Sequence, residues 1–351
     1  MPDIQQGNGI DKEYIAAVLC LSFVRPKEAF IAVTYLCNAR CGMCNIWKSE
    51  RTPEIEPMHY SKLPKSLRTV NITGGEPFLR KDLVEVIRAI DGVMPSGRLV
   101  FSTNGYLTET IIKRVEAIQS FHRRIGVGVS IDGLGKTHDK IRGVVGIYDH
   151  AIDTVRALKA RGLTDLRIAM TIQEDNLGEI EQVFDLSRSL GVEFTMTLAH
   201  NSEVYFKKTD NRLLRPTESS AQAISGIMRS QLTSRSVKEW FRAYHTMGML
   251  NADHRKAFAS RCEAGRRYFF MSPSGDIYPC NVMDKRLGNI TQVPDWDSLF
   301  TPEVESELRA SVRACRSDCW MICNTKSLIV SHPLRAASWV AGSKLRAHLR
   351  S

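Results

Sequence analysis

Short β-branched and aromatic runs alternate with stretches of helical period across residues 30–198. The runs Phe30–Thr34, Thr69–Thr73, Arg98–Thr103, Gly126–Ile131, Leu166–Ile172 and Val192–Leu198 read as strands. Between the later ones apolar residues recur every three or four positions. Leu83, Val86, Ile87 and Ile90 form one such stripe, and Ile152, Val155 and Leu158 another, which predicts amphipathic helices. Gly162 and Gly191 stand where left-handed C-caps would end helices before the next strand. Strand–helix alternation with links this short predicts an α/β fold with parallel strands. Six units make either a partial parallel (β/α)6 barrel of TIM type or an open doubly wound sheet. In both, the working face is the carboxyl end of the strands.

The texture changes after Leu198. Pro216 to about His254 reads as one or two polar helices, a spacer or lid. A hairpin is expected at Tyr268–Ser272 and Ile277–Pro279, joined by the Pro273-Ser274-Gly275-Asp276 turn. A short helix near Val304–Val312 leads into Cys315–Cys323. The tail from His332 carries Arg335, Lys344, Arg346 and Arg350 and no acid. The expected organisation is an N-terminal segment (1–28), a barrel (29–215), a helical linker (216–260), a small cysteine-rich C-terminal extension (261–330) and a basic tail (331–351). No internal repeat or low-complexity tract is visible.

Composition narrows the class. The 351 residues are 43% hydrophobic and 25% charged, which excludes a disordered, collagen-like or disulfide-scaffold chain. The formal charge of +10 suits nucleic acid, a membrane surface or an acidic small substrate, and chooses none of them. No apolar run reaches the roughly 18 residues that would span a bilayer. Ile15–Val24 is apolar enough for a signal core, but Arg25 and Pro26 follow where small cleavage-site residues belong. A cytoplasmic protein is expected. Nine cysteines, an odd number grouped in two places, argue for metal ligation over disulfides. Cys20, in an apolar segment, is expected to be a core residue.

Cys37, Cys41 and Cys44 fall just after the first strand, at the carboxyl face of the expected barrel. Three thiolates so close together complete neither a four-cysteine zinc knuckle nor a four-ligand iron–sulfur set. Either a distant fourth ligand closes a structural zinc site, or a cluster keeps one iron open, and an open position marks a reactive metal. The C-x3-C-x2-C spacing resembles the signature of the radical S-adenosylmethionine (radical SAM) superfamily. The resemblance implies a 4Fe–4S cluster on the three cysteines whose open iron chelates the methionine moiety of S-adenosylmethionine, with Met43 near the adenine. Further motifs follow in order at successive strand ends. Gly74-Gly75-Glu76 resembles the family segment that receives the methionine amino group. Glycines there would let carbonyls approach an ammonium, and Glu76 would add charge. Ser102-Thr-Asn104 resembles the segment near ribose and methionyl group. Ser130-Ile-Asp132-Gly resembles the ribose-contacting motif, and Arg142 suits the cofactor carboxylate. Thr171 and Asn176 match a region bordering adenine less specifically.

Cys262-x12-Gly275-x4-Cys280, followed by Cys315, Cys319 and Cys323, resembles the auxiliary-cluster extension called SPASM or its shorter relative called twitch. Five cysteines suffice for one further four-ligand 4Fe–4S cluster, which points to twitch. By analogy Cys319 and Cys323 join Cys262 and Cys280, with Cys315 as a substitute; a zinc ribbon is the other way to use this spacing.

The resemblance implies reductive cleavage of S-adenosylmethionine to a 5′-deoxyadenosyl radical, which abstracts hydrogen from the substrate. The outcome would be oxidation, cross-linking or epimerisation of a peptide or a saccharide-type substrate. It also implies an electron donor such as flavodoxin or ferredoxin. A metal-knuckle nucleic-acid-binding protein is the competing class, supported by the +10 charge, by Arg123-Arg124 and Arg266-Arg267 beside aromatics, and by the basic tail. Scattered basic residues argue against it, and no nucleic-acid partner is expected. In the tail, Leu334, Trp339, Val340 and Leu345 interleave with positive residues. That pattern fits peripheral contact with anionic lipid, or a helix packed on the barrel.

Overall fold

The computed structural model describes residues 25–49, 52–212, 216–251, 262–315, 317 and 319–349. Cys20 lies outside them. Six strands lie side by side in chain order: β1 (Glu28–Thr34), β2 (Thr69–Gly74), β3 (Arg98–Thr103), β4 (Ile125–Ser130), β5 (Asp165–Ile172) and β6 (Glu193–Leu198). Every neighbouring pair is parallel. A doubly wound sheet reverses its order at a switch point, and this one does not. The α/β expectation therefore resolves to a partial, open barrel.

Helices α1 (Leu83–Val93), α2 (Thr108–Gln119), α3 (Lys136–Arg142), α4 (Ile147–Ala160) and α5 (Ile180–Ser189) link the later strands. The predicted stripe Leu83, Val86, Ile87 and Ile90 is buried in α1, as is Ile152, Val155 and Leu158 in α4. Burying each such side chain contributes roughly 1.5–3 kcal/mol. Along β5, Leu166, Ile168, Met170 and Ile172 are buried. The alternate residues Arg167, Ala169 and Thr171 are only half-buried on the opposite face. Gly162 closes α4 at φ +78°, where its N–H bonds Lys159 O at 2.9 Å.

The cysteine-rich extension continues the same sheet. β7 (Tyr268–Met271) pairs parallel with β1, and β8 (Asp276–Tyr278) and β9 (Gly288–Asn289) follow antiparallel. The predicted hairpin is present, with Gly275 at φ +83° in its turn.

Helices α6 (Glu218–Thr233) and α7 (Val237–Leu250) occupy the stretch read as a spacer or lid. They pack on each other, α7 lies on β6, and neither lines the cavity at the strand ends. The lid expectation is therefore corrected. Ala243, Tyr244, His245, Thr246, Gly248 and Met249 are buried, so the helix is enclosed nearly all round beyond its first turns, which its mixed composition disguised. α8 (Pro302–Ala314) is capped by Thr301 and leads to the last cysteines, and α9 (Ile322–Ser331) carries Cys323.

The basic tail forms α10 (Pro333–Leu349), packed on α6 and α7. Val340 is buried, Trp339 meets Tyr244 edge-on at 5.3 Å, and Lys344 Nζ sits 3.9 Å from the Trp240 ring centre. Only Leu334 and Leu345 of the four apolar tail residues remain well exposed. Packing thus takes up Trp339 and Val340, two of the four residues on which the interfacial-helix expectation rested. Among the described residues no helix is long and apolar enough to cross a membrane.

Candidate active site

A cavity of about 190 Å³ opens at the carboxyl ends of the strands. Cys37, Cys41, Met43, Cys44, Gly74, Gly75, Ser102, Asn104, Ser130 and Arg142 all line it, and so does Thr171. Residues spread over more than a hundred positions are thus brought to one face by sequential strand ends.

The cysteine loop is braced from α3. Arg40 N–H donates to Arg142 O at 2.8 Å and Gly42 N–H to Ile141 O at 3.1 Å, so the free carbonyls of that helix end hold the loop. Gly143, next in chain, sits at φ +66°, and a Cβ there would meet the Arg40 carbonyl at 2.6 Å. Burial pushes the Cys37 thiol up to about 12 and Cys44 to about 11; Cys41 is also raised by burial, against the pull of Arg142. Such thiols stay neutral unless a cation replaces their protons, which suits an iron cluster. Backbone and side-chain donors already aim at the sulfurs. Ala39 N–H lies 3.5 Å from Cys37 Sγ and Arg142 Nη1 3.7 Å from Cys41 Sγ. Among the described residues no group of three or more His, Cys, Asp or Glu side chains is placed to hold a single metal ion.

Gly74 and Gly75 line the cavity, and the fold itself supplies a reason for their lack of a side chain. A Cβ at Gly74, itself at φ +137°, would collide with Thr34 O, and one at Gly75 with Leu36 O. The close approach is to the end of β1, secured by Gly75 N–H to Thr34 O and Glu76 N–H to Leu36 O, each 2.8 Å.

Glu76 is wholly buried and does not line the cavity. Its carboxylate accepts from Asn104 N–H at 2.8 Å, Thr103 Oγ1 at 2.9 Å and Phe78 N–H at 3.2 Å, tying the ends of β2 and β3. Burial raises its pKa to about 7 despite these donors. Asp132 is likewise buried outside the cavity wall. It pairs with Arg142 Nη2 at 2.7 Å, and its Oδ1 accepts Thr171 N–H at 2.7 Å. Asn176 donates to Asp132 O and Thr171 O, both at 2.8 Å, and supports the wall from behind. Arg142 keeps Nε buried without a partner while its side chain lines the cavity, an orphan donor that fits an anionic ligand group.

Sequence reasoning missed Trp47, Thr197, His200, Tyr205, Phe206 and Met321, which share the wall. Tyr205 reaches Thr73 Oγ1 at 2.5 Å and Gly74 O at 3.2 Å. The adjacent aromatic pair Tyr205-Phe206 was the one available signal.

Cys262, Cys280 and Cys323 cluster with Tyr268 and Met321, and Met321 also lines the main cavity. Tyr268 Oη lies 3.3 Å from Cys262 Sγ, and Cys280 Sγ receives Val282 N–H at 3.4 Å and Met283 N–H at 3.3 Å. Burial pushes Cys280 up to about 12 and raises Cys262, Cys319 and Cys323. Cys315 is near enough for its charge to bear on Cys262, Cys280 and Cys319, so all five thiols share one neighbourhood. The segment is pinned by Trp320, whose Nε1–H donates to His245 O at 2.6 Å and whose indole occupies the space a side chain at Gly248 would need.

Residues 31–187 match the family model described as the radical SAM superfamily. The chain is 24% identical over 314 residues to the antilisterial bacteriocin subtilosin biosynthesis protein AlbA of Bacillus subtilis, covering 87% of this chain but 66% of AlbA, just under two thirds of it. It is 26% identical over 309 residues to mycofactocin maturase MftC of Mycolicibacterium smegmatis, covering 81% of this chain and 73% of MftC. Its fold is similar to that of Streptococcus suis SuiB bound to S-adenosylmethionine, with a TM-score of 0.65 and 16% identity over 91% of this chain and 80% of SuiB. SuiB has also been solved bound to the precursor peptide SuiA. That family uses a 4Fe–4S cluster and S-adenosylmethionine. With three cavity-facing thiols on the loop after β1 and the match running from β1 into α5, residues 31–187 form a radical SAM domain.

Proposed function

We propose that this radical SAM enzyme modifies a peptide, using a second, twitch-type 4Fe–4S cluster in its C-terminal extension. The observation that carries the reading is the gathering of Cys37, Cys41, Cys44, Gly75, Ser130 and Arg142 on one cavity. When bound, the first cluster and S-adenosylmethionine supply hydrogen-atom abstraction from an unactivated carbon.

The chain's own residues bind and orient. Cys37, Cys41 and Cys44 hold the first cluster. Ser102, Asn104, Ser130 and the orphan Nε of Arg142 offer polar contacts to the cofactor, and Met43 packs beside it. Glu76 and Asp132 act from behind, fixing Asn104 and Arg142. Four of Cys262, Cys280, Cys315, Cys319 and Cys323 hold the auxiliary cluster; Met321, which packs among these thiols, also lines the cavity. A peptide substrate is supported by AlbA's naming for bacteriocin biosynthesis and by the SuiB–SuiA complex. Oxidation, cross-linking and epimerisation are the outcomes this equipment serves, with flavodoxin or ferredoxin as electron donor in the cytoplasm.

Anaerobically purified protein should hold about eight irons per chain, the sum of two four-iron clusters. With dithionite it should convert S-adenosylmethionine to 5′-deoxyadenosine. Replacing Cys37, Cys41 and Cys44 by alanine should abolish cleavage and leave roughly half of the iron. Undiminished cleavage by that variant refutes the first site, and zinc in place of the remaining iron refutes the second cluster.

A further inference from the structure

Arg142 stands between a cysteine sulfur and a buried carboxylate. Its Nη1 is 3.7 Å from Cys41 Sγ and its Nη2 is 2.7 Å from Asp132 Oδ2. Arg142 is 8% exposed and Asp132 wholly buried, so their charges act through little water. Asp132 is fixed on three sides: Thr171 N–H donates to its Oδ1, its own N–H donates to His138 Nδ1 at 2.9 Å, and Asn176 donates to its carbonyl. The Arg142 backbone in turn holds the cysteine loop through Arg40. The guanidinium therefore cannot leave Cys41 without breaking the buried ion pair.

A donor on a ligating sulfur withdraws electron density from the iron and stabilises the reduced cluster, raising its reduction potential. A neighbouring carboxylate does the opposite by offsetting the cation. A cofactor carboxylate would be left a different atom, Nε, which is buried without a hydrogen-bond partner. We infer that Asp132 and Arg142 form a charge lever that sets the reduction potential of the cluster at its Cys41 corner, Arg142 raising it and Asp132 restraining it. Asp132 is a positioning residue that acts through Arg142. The inference rests on Cys37, Cys41 and Cys44 holding that cluster.

The test is a potentiometric titration of the full reconstituted chain, without S-adenosylmethionine, followed by electron paramagnetic resonance of the reduced cluster. The signal of the Cys37/Cys41/Cys44→Ala protein is subtracted to isolate the N-terminal cluster. Arg142→Gln should make reduction at least tenfold less favourable, a shift of about 59 mV to more negative potential for a one-electron couple. Asp132→Asn should shift the potential the other way, because the arginine charge is no longer offset. Arg142→Lys, which keeps the charge and loses the fork, should fall between wild type and Arg142→Gln. Unchanged potentials in Arg142→Gln and Asp132→Asn, or shifts of the same sign in both, overturn the inference. Should Arg142→Gln lose its iron, Asp132→Asn decides alone: a less negative potential supports the lever, and no shift or a more negative one overturns it. A triple-cysteine variant that keeps the wild-type signal would instead refute the site assignment, which separates the two failures.

Discussion

Glu76 offers the most quantitative check on how this site is built. Its carboxylate is sealed between the ends of β2 and β3, and burial raises its pKa from 4.5 to about 7. The folded protein therefore binds this proton more tightly than the unfolded chain. Stability from this group is fully present below about 4.5 and is lost as pH rises through about 7. At about 1.36 kcal/mol per unit, the whole loss is about 3 kcal/mol, most of it between pH 5 and 8. Glu76→Gln cannot ionise. Its amide also turns a donor toward Asn104 N–H or Thr103, a mismatch that costs about 1–3 kcal/mol at every pH. The stability of wild type minus that of Glu76→Gln should thus be greatest at pH 5 and fall by about 2.5 kcal/mol toward pH 8, changing sign where the mismatch costs less than that. Anaerobic thermal denaturation of both proteins at a fixed scan rate, from pH 5 to 8, measures that fall. Curves that stay parallel across the range, or a difference that grows in favour of wild type as pH rises, would show that Glu76 is not held as a raised-pKa buried acid.

Two further outcomes follow from packing. Gly75→Ala drives a Cβ into the carbonyls of Tyr35 and Leu36, so β1 and β2 must part. Its thermal stability should fall by about 1–3 kcal/mol and S-adenosylmethionine cleavage should drop with it; wild-type values for both would contradict the close approach. Trp320→Ala empties the space beside Gly248 and His245 and should cost about 3–5 kcal/mol. It should also release iron from the C-terminal cysteines ahead of the N-terminal triad on mild heating, and simultaneous release would deny Trp320 its pinning role.

The periodicity of apolar residues was enough to place all six barrel strands, because each strand and helix buries a face whose spacing is local. Cys37, Cys41 and Cys44 were legible for the same reason: their spacing lies within one loop. Positions such as Gly74, Ser102, Ser130 and Arg142 could be named from short motifs at strand ends, and the sheet does bring them to one cavity. What those residues do there was not local information. The glycines at 74 and 75 make way for β1, and Glu76 and Asp132 turn from the cavity to Asn104, Thr103 and Arg142. The far wall was invisible as well, since Tyr205 and Met321 reach it from residues far along the chain. Likewise, α7 looked like a polar spacer because it starts exposed and carries polar residues such as His245 and Thr246, whose burial depends on α6, β6 and α10 arriving beside it. Chain-local patterns fixed which segments would be strands, helices and thiol-bearing loops. Only the folded arrangement, through burial and hydrogen bonds between distant segments, decided which side chains face the cavity and which hold those that do.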